Sequence, residues 1–234
     1  MTHVPLATRR LGVELFDNVS GSAAAVEVSL RNIARANRWF GGTAALCWGL
    51  GRALRGVPAG TRVTLLDVGT GLGDVPRAAA AWGARHGIRL APFGLERHPV
   101  AARLAAARGL PTVVGCAGAP PVSEKSVDVV SVCMVAHHYE PDSVVELFRT
   151  CDRLARRAVV VADLLRSPVA AAAWWWGSRA LGFDPVTIDD GRTSIRRGFT
   201  TAEFMRLLVA AGVSAVVARR PGWRLVALWA PGTA

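Results

Sequence analysis

The chain has 234 residues, of which 51% are hydrophobic and 19% are charged. A chain of this composition can bury a sizeable core, which excludes a disordered or collagen-like polymer. Lys and Arg total 28 against 17 Asp and Glu, so the formal net charge is +11. Because no run of five basic residues concentrates this charge, we expect no nucleic-acid partner.

No pattern in the sequence predicts a metal site, a secretory signal or a membrane span. The four cysteines lie in apolar segments without Cys-x-x-Cys or Cys/His spacing, so we expect reduced thiols and no metal. The N-terminal residues MTHVPLATRRLGVE lack the apolar segment of a secretory signal. No uninterrupted apolar stretch reaches the length of about 18 residues that a membrane span needs. We therefore expect a cytoplasmic protein.

The N-terminal quarter of the chain has the apolar periodicity of helices. This pattern runs from Leu6 to Arg55 with an interruption at Gly41-Gly42. Gly and Pro residues at positions 56–60 end it. We predict a helical extension or lid over residues 1–60 and a second, larger domain over residues 61–234.

The larger domain begins with short apolar runs that alternate with helical stretches. Such alternation is typical of βαβ units and of a parallel sheet covered on both faces. The predicted strands are Arg62 to Val68, Ile88 to Leu95, Pro111 to Gly115, Val127 to Cys133 and Arg157 to Ala162. The predicted helices are Val75 to His86, Pro99 to Arg108 and Pro141 to Leu154.

The C-terminal part is predicted to contain two helices and a β-hairpin. The stretch from Pro168 to Phe183 is compatible with a helix, and Asp184 to Gly198 is predicted to be a polar loop. A further helix follows to Ala211, capped by Thr200 or Thr201, with Glu203 completing a capping box if Thr200 is the cap.

The hairpin signal is the Pro221-Gly222 turn between two β runs, Val213 to Ala218 and Trp223 to Trp229. The last strand is therefore expected to be antiparallel.

The most informative motif lies after the first predicted strand. It reads Asp67-Val68-Gly69-Thr70-Gly71-Leu72-Gly73-Asp74 and runs directly into a helix. This is the strand edge at which α/β sheets bind ligands. The dinucleotide fingerprint GxGxxG would need glycine at position 74, where this chain has aspartate. A carboxylate repels a pyrophosphate but attracts the sulfonium and amino groups of S-adenosylmethionine (SAM), so the motif favours a cationic ligand.

This motif resembles the first motif of class I SAM-dependent methyltransferases. The resemblance implies a doubly wound, Rossmann-like α/β fold with a seven-stranded, mostly parallel sheet whose last strand is antiparallel. It also implies that the glycine loop wraps the methionine portion of SAM. The cofactor-binding residues that it implies here are Asp67, Gly69, Thr70, Gly71, Gly73 and Asp74.

The second and third strands carry the next positions of the family pattern. In the family an acidic residue that ends the second strand binds the ribose hydroxyls; Glu96, followed by Arg97, occupies this place. A solvated strand-end carboxylate is the alternative interpretation of Glu96. Family members often have an aspartate for the adenine amino group after the third strand, where this chain has Cys116. A thiol is a poor acceptor, so adenine would rely on the backbone near Ala117, and Cys116 is otherwise a packing residue.

The fourth strand ends in Cys133-Met134-Val135-Ala136-His137-His138-Tyr139, which resembles the family segment that faces SAM and the substrate. The resemblance places Met134 at the cofactor and makes His137 or His138 the candidate general base for a hydroxyl acceptor. The sequence does not decide between the two histidines, and a purely structural pair is the alternative. Asp163, at the end of the fifth strand, either orients a base or caps the next helix.

Three further residues are candidates for substrate binding. Trp39 and Phe40 either close over the site or serve helix packing, and Arg196 either holds a substrate anion or belongs to a solvated loop. The triplet Trp174-Trp175-Trp176 cannot occupy one narrow helix face, so at least one indole is expected to face outward or into a partner, which allows a homodimer. Core packing is the simplest explanation for the other two.

These features predict a SAM-dependent methyltransferase that acts on a small molecule. The segments Gly69–Pro76, Ala155–Leu165 and Ser194–Thr201 also resemble bacterial methyltransferases of polyketide and quinone-type secondary metabolism. This looser resemblance implies O-methylation of an aromatic or polyketide-like hydroxyl. The alternatives are an RNA methyltransferase, for which the Asn/Asp-Pro-Pro-Tyr type motif is missing, and a SAM-fold protein that binds without catalysis.

Overall fold

The computed structural model describes Arg9 and residues 23–232. These residues form one seven-stranded sheet with helices on both faces. The strands are β1 Arg62–Val68, β2 Arg89–Glu96, β3 Thr112–Val114, β4 Val127–Cys133, β5 Ala155–Leu164, β6 Val216–Arg220 and β7 Arg224–Trp229. The helices are α1 Ala23–Trp39, α2 Gly42–Ala53, α3 Asp74–Arg85, α4 Pro99–Ala107, α5 Pro141–Leu154, α6 Pro168–Ala180, α7 Pro185–Arg197 and α8 Thr201–Ala211.

The sheet has the strand order β3-β2-β1-β4-β5-β7-β6. Strands β1 to β5 pair in parallel, and β7 is antiparallel to both β5 and β6. The predicted doubly wound sheet with an antiparallel last strand is confirmed. Because the chain runs outward from β1 to β3 and then returns to β4, the order reverses between β1 and β4, and this switch point is where such sheets bind ligands.

Helices cover both faces of the sheet with separate apolar clusters. On one face, α5 and α8 pack Phe148 and Phe204 against the sheet. On the other face, α2 and α3 pack their own apolar side chains against the sheet, and Leu46 and Leu50 of α2 are fully buried there. Helix α2, from the N-terminal stretch, therefore shares the core of the sheet. The part of the predicted helical stretch between Leu6 and residue 22 lies outside the described residues, except for Arg9.

The predicted polar loop from Asp184 to Gly198 is wrong, because most of it forms helix α7. Asp184 caps this helix by accepting a hydrogen bond from the Thr187 backbone N–H at 3.0 Å. Pro185 occupies the first turn, where no intrahelical N–H bond is lost. Gly191, which favoured a loop in the sequence, lies where the indole of Trp174 packs so closely that a Cβ would clash with it. Tertiary packing here overrides the low helix propensity of the segment.

The capping box of α8 is confirmed with Thr200 as the cap and Glu203 as its partner. For the tryptophan triplet, the prediction of at least one outward indole is confirmed, but core packing of the other two is wrong. Trp174 is buried, whereas Trp175 and Trp176 are exposed, because consecutive helical residues point about 100° apart.

No helix within residues 23–232 combines the length and apolar character of a membrane span. The described residues contain no group of three or more His, Cys, Asp or Glu side chains that could hold a metal ion.

Candidate functional site

A cavity of about 530 Å³ opens at the carboxyl edge of the parallel strands. Its walls come from the ends of β1, β2, β4 and β5, and from α1, α6 and α7, which are distant in sequence. This volume lies in the range of small-molecule sites. One end, the loop end, is formed by Asp67, the segment Gly69–Gly71, Asp74 and Glu96; the other, the histidine end, contains Phe40, His137, His138, Leu164, Trp174, Trp223 and Arg224.

The glycine loop after β1 lines the loop end with its backbone. Gly69, Gly71 and Gly73 all have positive φ, between 55° and 72°. A Cβ at Gly69 would clash with Val135, which follows β4. A Cβ at Gly71 would meet only Leu30, at 3.5 Å, so its peptide is open to the cavity. Glycine thus allows the loop both to cross β4 closely and to expose its backbone to a ligand.

Two carboxyl groups line this end of the cavity, the buried Asp67 and the partly buried Asp74. Burial raises the pKa of Asp67 to about 7, although a 2.6 Å hydrogen bond from the Ser131 hydroxyl opposes the rise. Burial also raises the pKa of Asp74, at the start of α3, against hydrogen bonds that include one from the side chain of Asn37. A cation placed between the two carboxyls would favour their ionised forms. The loop end therefore fits a positively charged ligand and disfavours a pyrophosphate.

Glu96 ends β2 and holds the glycine loop. Its Oε2 accepts a hydrogen bond from the Gly71 N–H, and its Oε1 accepts one from the His98 N–H, each at 2.9 Å. Each carboxylate oxygen can accept a second bond, so Glu96 retains the capacity to receive a diol. Arg97 beside it is exposed at the cavity rim.

The sequence-predicted residues near β3 divide between the inside and the outside of the cavity. Gly115 and Ala117 line it, whereas Cys116 is exposed and does not. Gly73 lies against Leu110 and, like Cys116, does not line the cavity. Met134 lines the cavity and has a φ of 59°, an unusual conformation for a residue with a side chain.

The histidine turn, residues 135–139, follows β4 and contains a short 3-10 helix, Ala136–His138. The buried His137 ring contacts Asp163 with Nδ1 and Oδ1 2.7 Å apart, and Asp163 Oδ2 accepts the His137 backbone N–H at 3.3 Å. Burial alone would raise the pKa of Asp163, but the attraction and hydrogen bonding of His137 outweigh it, so the pKa is lowered. Because an ionised carboxylate only accepts, Nδ1 carries the proton and Nε2 is the basic nitrogen.

His138 has a different environment, although its ring centroid lies only 4.3 Å from that of His137. The Nη1 of Arg197 is 3.1 Å from His138 Nδ1. A guanidinium can only donate, so Nδ1 is the acceptor in this contact. The geometry therefore distinguishes the two histidines. The carboxylate of Asp163 orients His137, whereas the guanidinium of Arg197 orients His138.

Arg9 is a contact of this turn that the sequence did not reveal. Its guanidinium donates to the carbonyl oxygens of His137 at 3.1 Å, Tyr139 at 2.6 Å and Arg197 at 2.7 Å. These bonds join the histidine turn to the C-terminal end of α7. In the sequence, Arg9 is one of many basic residues spread along the chain, and no local signal distinguishes it from the others.

Aromatic and aliphatic side chains form the rest of the histidine end. Phe40 packs against Trp174 with ring centroids 5.0 Å apart, and the Trp174 indole N–H donates to the Ile188 carbonyl at 2.9 Å. Of the predicted substrate residues, Phe40 lines this end. Trp39 is 64% exposed and Arg196 is exposed on α7, and neither lines the cavity.

Together, the strand order, the glycine loop after β1 and the acidic residue after β2 define a class I, Rossmann-like methyltransferase fold. Residues 66–162 match the protein family described as a methyltransferase domain. The protein is a SAM-dependent methyltransferase, and SAM is its cofactor.

Three solved structures show the same fold at low sequence identity. A SAM-dependent methyltransferase from Aquifex aeolicus has a TM-score of 0.60 and 13% identity, covering 91% of this chain and 100% of that one. An O-methyltransferase family 2 protein from Planctomyces limnophilus, in complex with apigenin, has a TM-score of 0.62 and 15% identity, covering 92% and 63%. The CurJ carbon methyltransferase has a TM-score of 0.56 and 11% identity, covering 79% and 52%. Among curated proteins, no sequence matches this chain.

Proposed function

We propose that this protein transfers the methyl group of SAM to a hydroxyl group of a small aromatic or polyketide-like acceptor. The observation that carries the proposal is the His137–Asp163 pair at the histidine end of the cavity, with Nδ1 and Oδ1 2.7 Å apart. A hydroxyl becomes a much better nucleophile as its proton leaves, and an imidazole oriented by a carboxylate performs that proton transfer near neutral pH.

The loop end supplies the residues that would hold the cofactor. The open space beside Gly71 and the acidic side chains of Asp67 and Asp74 suit the amino-acid portion and the sulfonium, and Glu96 suits the ribose hydroxyls. Bound SAM supplies an electrophilic methyl group on a positively charged sulfur. The chain's own contribution is to hold this group next to the histidine end and to exclude water.

His137 then acts on the acceptor. Its Nε2 would take the proton of the acceptor hydroxyl, so that the acceptor oxygen could receive the methyl group that SAM would supply. Asp163 stabilises the imidazolium that results, in the orientation fixed by the Nδ1–Oδ1 bond. The products are a methyl ether and S-adenosylhomocysteine, and the proton passes from His137 to solvent.

The walls of the histidine end favour a flat acceptor. Phe40, Trp174 and Trp223 line the same cavity as His137, and Ile33 and Ala36 of α1 contribute to its wall. Planar rings bury well against such surfaces. Helix α1 is thus proposed to form part of a lid over residues of the main domain.

The test is an assay with methyl-labelled SAM and a panel of phenols, hydroxynaphthoquinones and hydroxylated polyketide fragments. We expect labelled methyl ethers, with the position of the methyl group read by NMR. Label on carbon would show that the acceptor chemistry is wrong, and label only in RNA would replace the substrate class. Binding of SAM without transfer to any of these would leave a binding protein.

A further inference from the structure

Arg224 is a buried cation in the cavity that the proposed reaction does not use. It begins β7, pairs with Leu164 of β5 and is 5% exposed. Its Nη1 donates to the backbone carbonyls of Gly222 at 2.7 Å and Trp223 at 3.3 Å. These contacts hold one side of the guanidinium against the hairpin turn, and the residue lines the histidine end.

The protein provides this cation with no carboxylate partner among the described residues. Asp163 belongs to the same region, but its oxygens accept hydrogen bonds from His137 and from the Leu164 N–H. The Nε of Arg224 is buried without a hydrogen-bond partner. Burial lowers the pKa of Arg224 to about 10, and the attraction of Asp163 opposes this change only in part.

A second buried arginine shows how the chain treats such a charge elsewhere. Arg166, which is also 5% exposed, donates from Nη2 to both carboxylate oxygens of Glu203, at 2.7 and 2.8 Å. Burying a charge without a counter-ion disfavours the folded state. The contrast indicates that the counter-ion of Arg224 arrives with a ligand.

We propose that Arg224 binds the carboxylate of a molecule held in this cavity. The Nε–H and the neighbouring Nη2–H form the fork that arginine uses for bidentate carboxylate recognition, and the Nη1 bonds fix its orientation. Two ligands can supply the carboxylate: the acceptor, which would then be a hydroxylated aromatic acid, or the methionine portion of SAM. The acceptor case rests on the proposed function, whereas the SAM case does not.

The experiment compares ligand pairs that differ only in the carboxylate. Calorimetry would measure binding of SAM and of decarboxylated SAM, and then of hydroxybenzoates and hydroxybenzamides in the presence of S-adenosylhomocysteine. The variant is Arg224→Gln, with Arg224→Lys to retain the charge without the fork. Arg219→Gln is the matched control, because Arg219 is an exposed arginine of the same hairpin that contacts Thr201.

We expect the wild-type protein to prefer one carboxylated ligand by about 10- to 100-fold, the strength of a charged hydrogen-bonded pair. This preference should disappear in Arg224→Gln, persist in part in Arg224→Lys and remain intact in Arg219→Gln. A preference within the SAM pair identifies the cofactor as the source, and one within the hydroxybenzoate pair identifies the acceptor. If the wild type prefers neither carboxylated ligand, or if a preference survives in Arg224→Gln, the proposal is wrong.

The binding measurements need no turnover, so they separate this inference from the proposed function. Carboxylate-dependent binding of hydroxybenzoates without methyl transfer to any hydroxyl would overturn the O-methylation and leave the carboxylate site standing. Methyl transfer to a hydroxyl without any preference for carboxylated ligands would support the O-methylation and overturn the carboxylate site.

Discussion

The two ends of the cavity are built in different ways. The loop end comes largely from one contiguous segment, residues 67–74, whose backbone and two acidic side chains line the cavity. The histidine end assembles side chains from Phe40 to Arg224, and contacts distant in sequence orient its two histidines, Asp163 for His137 and Arg197 for His138. The proposed function therefore assigns cofactor recognition to local backbone geometry and acceptor recognition to tertiary packing. The two ends should therefore fail differently when mutated.

The largest effect is expected from Gly71→Val, which should impair SAM binding at the loop end. A β-branched side chain is strained at a φ of 55° and would extend from a peptide that is open to the cavity. We expect SAM affinity to fall by about 100-fold or more, measured by calorimetry. Gly109→Val controls for strain alone, because Gly109 also has a positive φ, of 83°, but lies outside the cavity. Equal SAM binding by Gly71→Val and the wild type would show that the cofactor lies elsewhere.

At the histidine end, His137→Asn should leave SAM affinity intact and lower kcat by about 10² or more, because the general base is lost. Asp163→Asn should lower kcat in the same range, and the double variant should lose little more, because the two residues act as a unit. His86→Asn, on an exposed residue at the end of α3, is the control for histidine loss. If His138→Asn abolishes turnover and His137→Asn does not, the assignment of the base is reversed.

The affinity of the loop end for SAM should depend on pH. The pKa of Asp67 is raised to about 7 in the ligand-free protein, and a bound cation favours the ionised form and so lowers that pKa. Binding of SAM below pH 7 then releases a proton, and affinity should rise by up to about tenfold per pH unit between about pH 5.5 and 7.

Calorimetry in buffers of different ionisation enthalpy measures this proton release directly. Ser131→Ala removes the hydrogen bond that favours ionised Asp67, so the pH dependence should move to higher pH. Affinity that is flat over this interval would contradict a role for Asp67 in cation binding.

The smallest effect concerns two neighbouring aromatic residues. Phe40→Ala removes a ring that lines the histidine end against Trp174, so we expect the acceptor KM to rise about three- to tenfold. Trp39→Ala removes a side chain that is 64% exposed and outside the cavity, so steady-state kinetics should change by less than about twofold. A larger effect of Trp39→Ala would place the acceptor beyond the cavity described here.

The sequence predicted the sheet well because its signals are local. The apolar runs of β1 and β4 match the structure at both ends, and the Pro221-Gly222 turn predicted the antiparallel hairpin. Helix α7 was missed, because its polar sequence and Gly191 favour a loop unless the packing of Trp174 is known.

The candidate site was predictable to the extent that it follows a linear motif. The glycine loop was found from its spacing and Glu96 from the family resemblance, whereas the difference between His137 and His138 depends on Asp163 and Arg197 in three dimensions. Arg9 and Arg224 carry no sequence signal that separates them from other arginines. Their roles arise from three-dimensional contacts in Arg9 and from burial in Arg224, which no short segment encodes.

A structure of the protein with S-adenosylhomocysteine and a hydroxylated aromatic acceptor tests the account most directly. We predict that the ribose hydroxyls contact Glu96, that the sulfur lies between the glycine loop and the histidine turn, and that the acceptor hydroxyl is within hydrogen-bond distance of His137 Nε2. A cofactor bound away from the glycine loop, or an acceptor hydroxyl remote from His137, would contradict it.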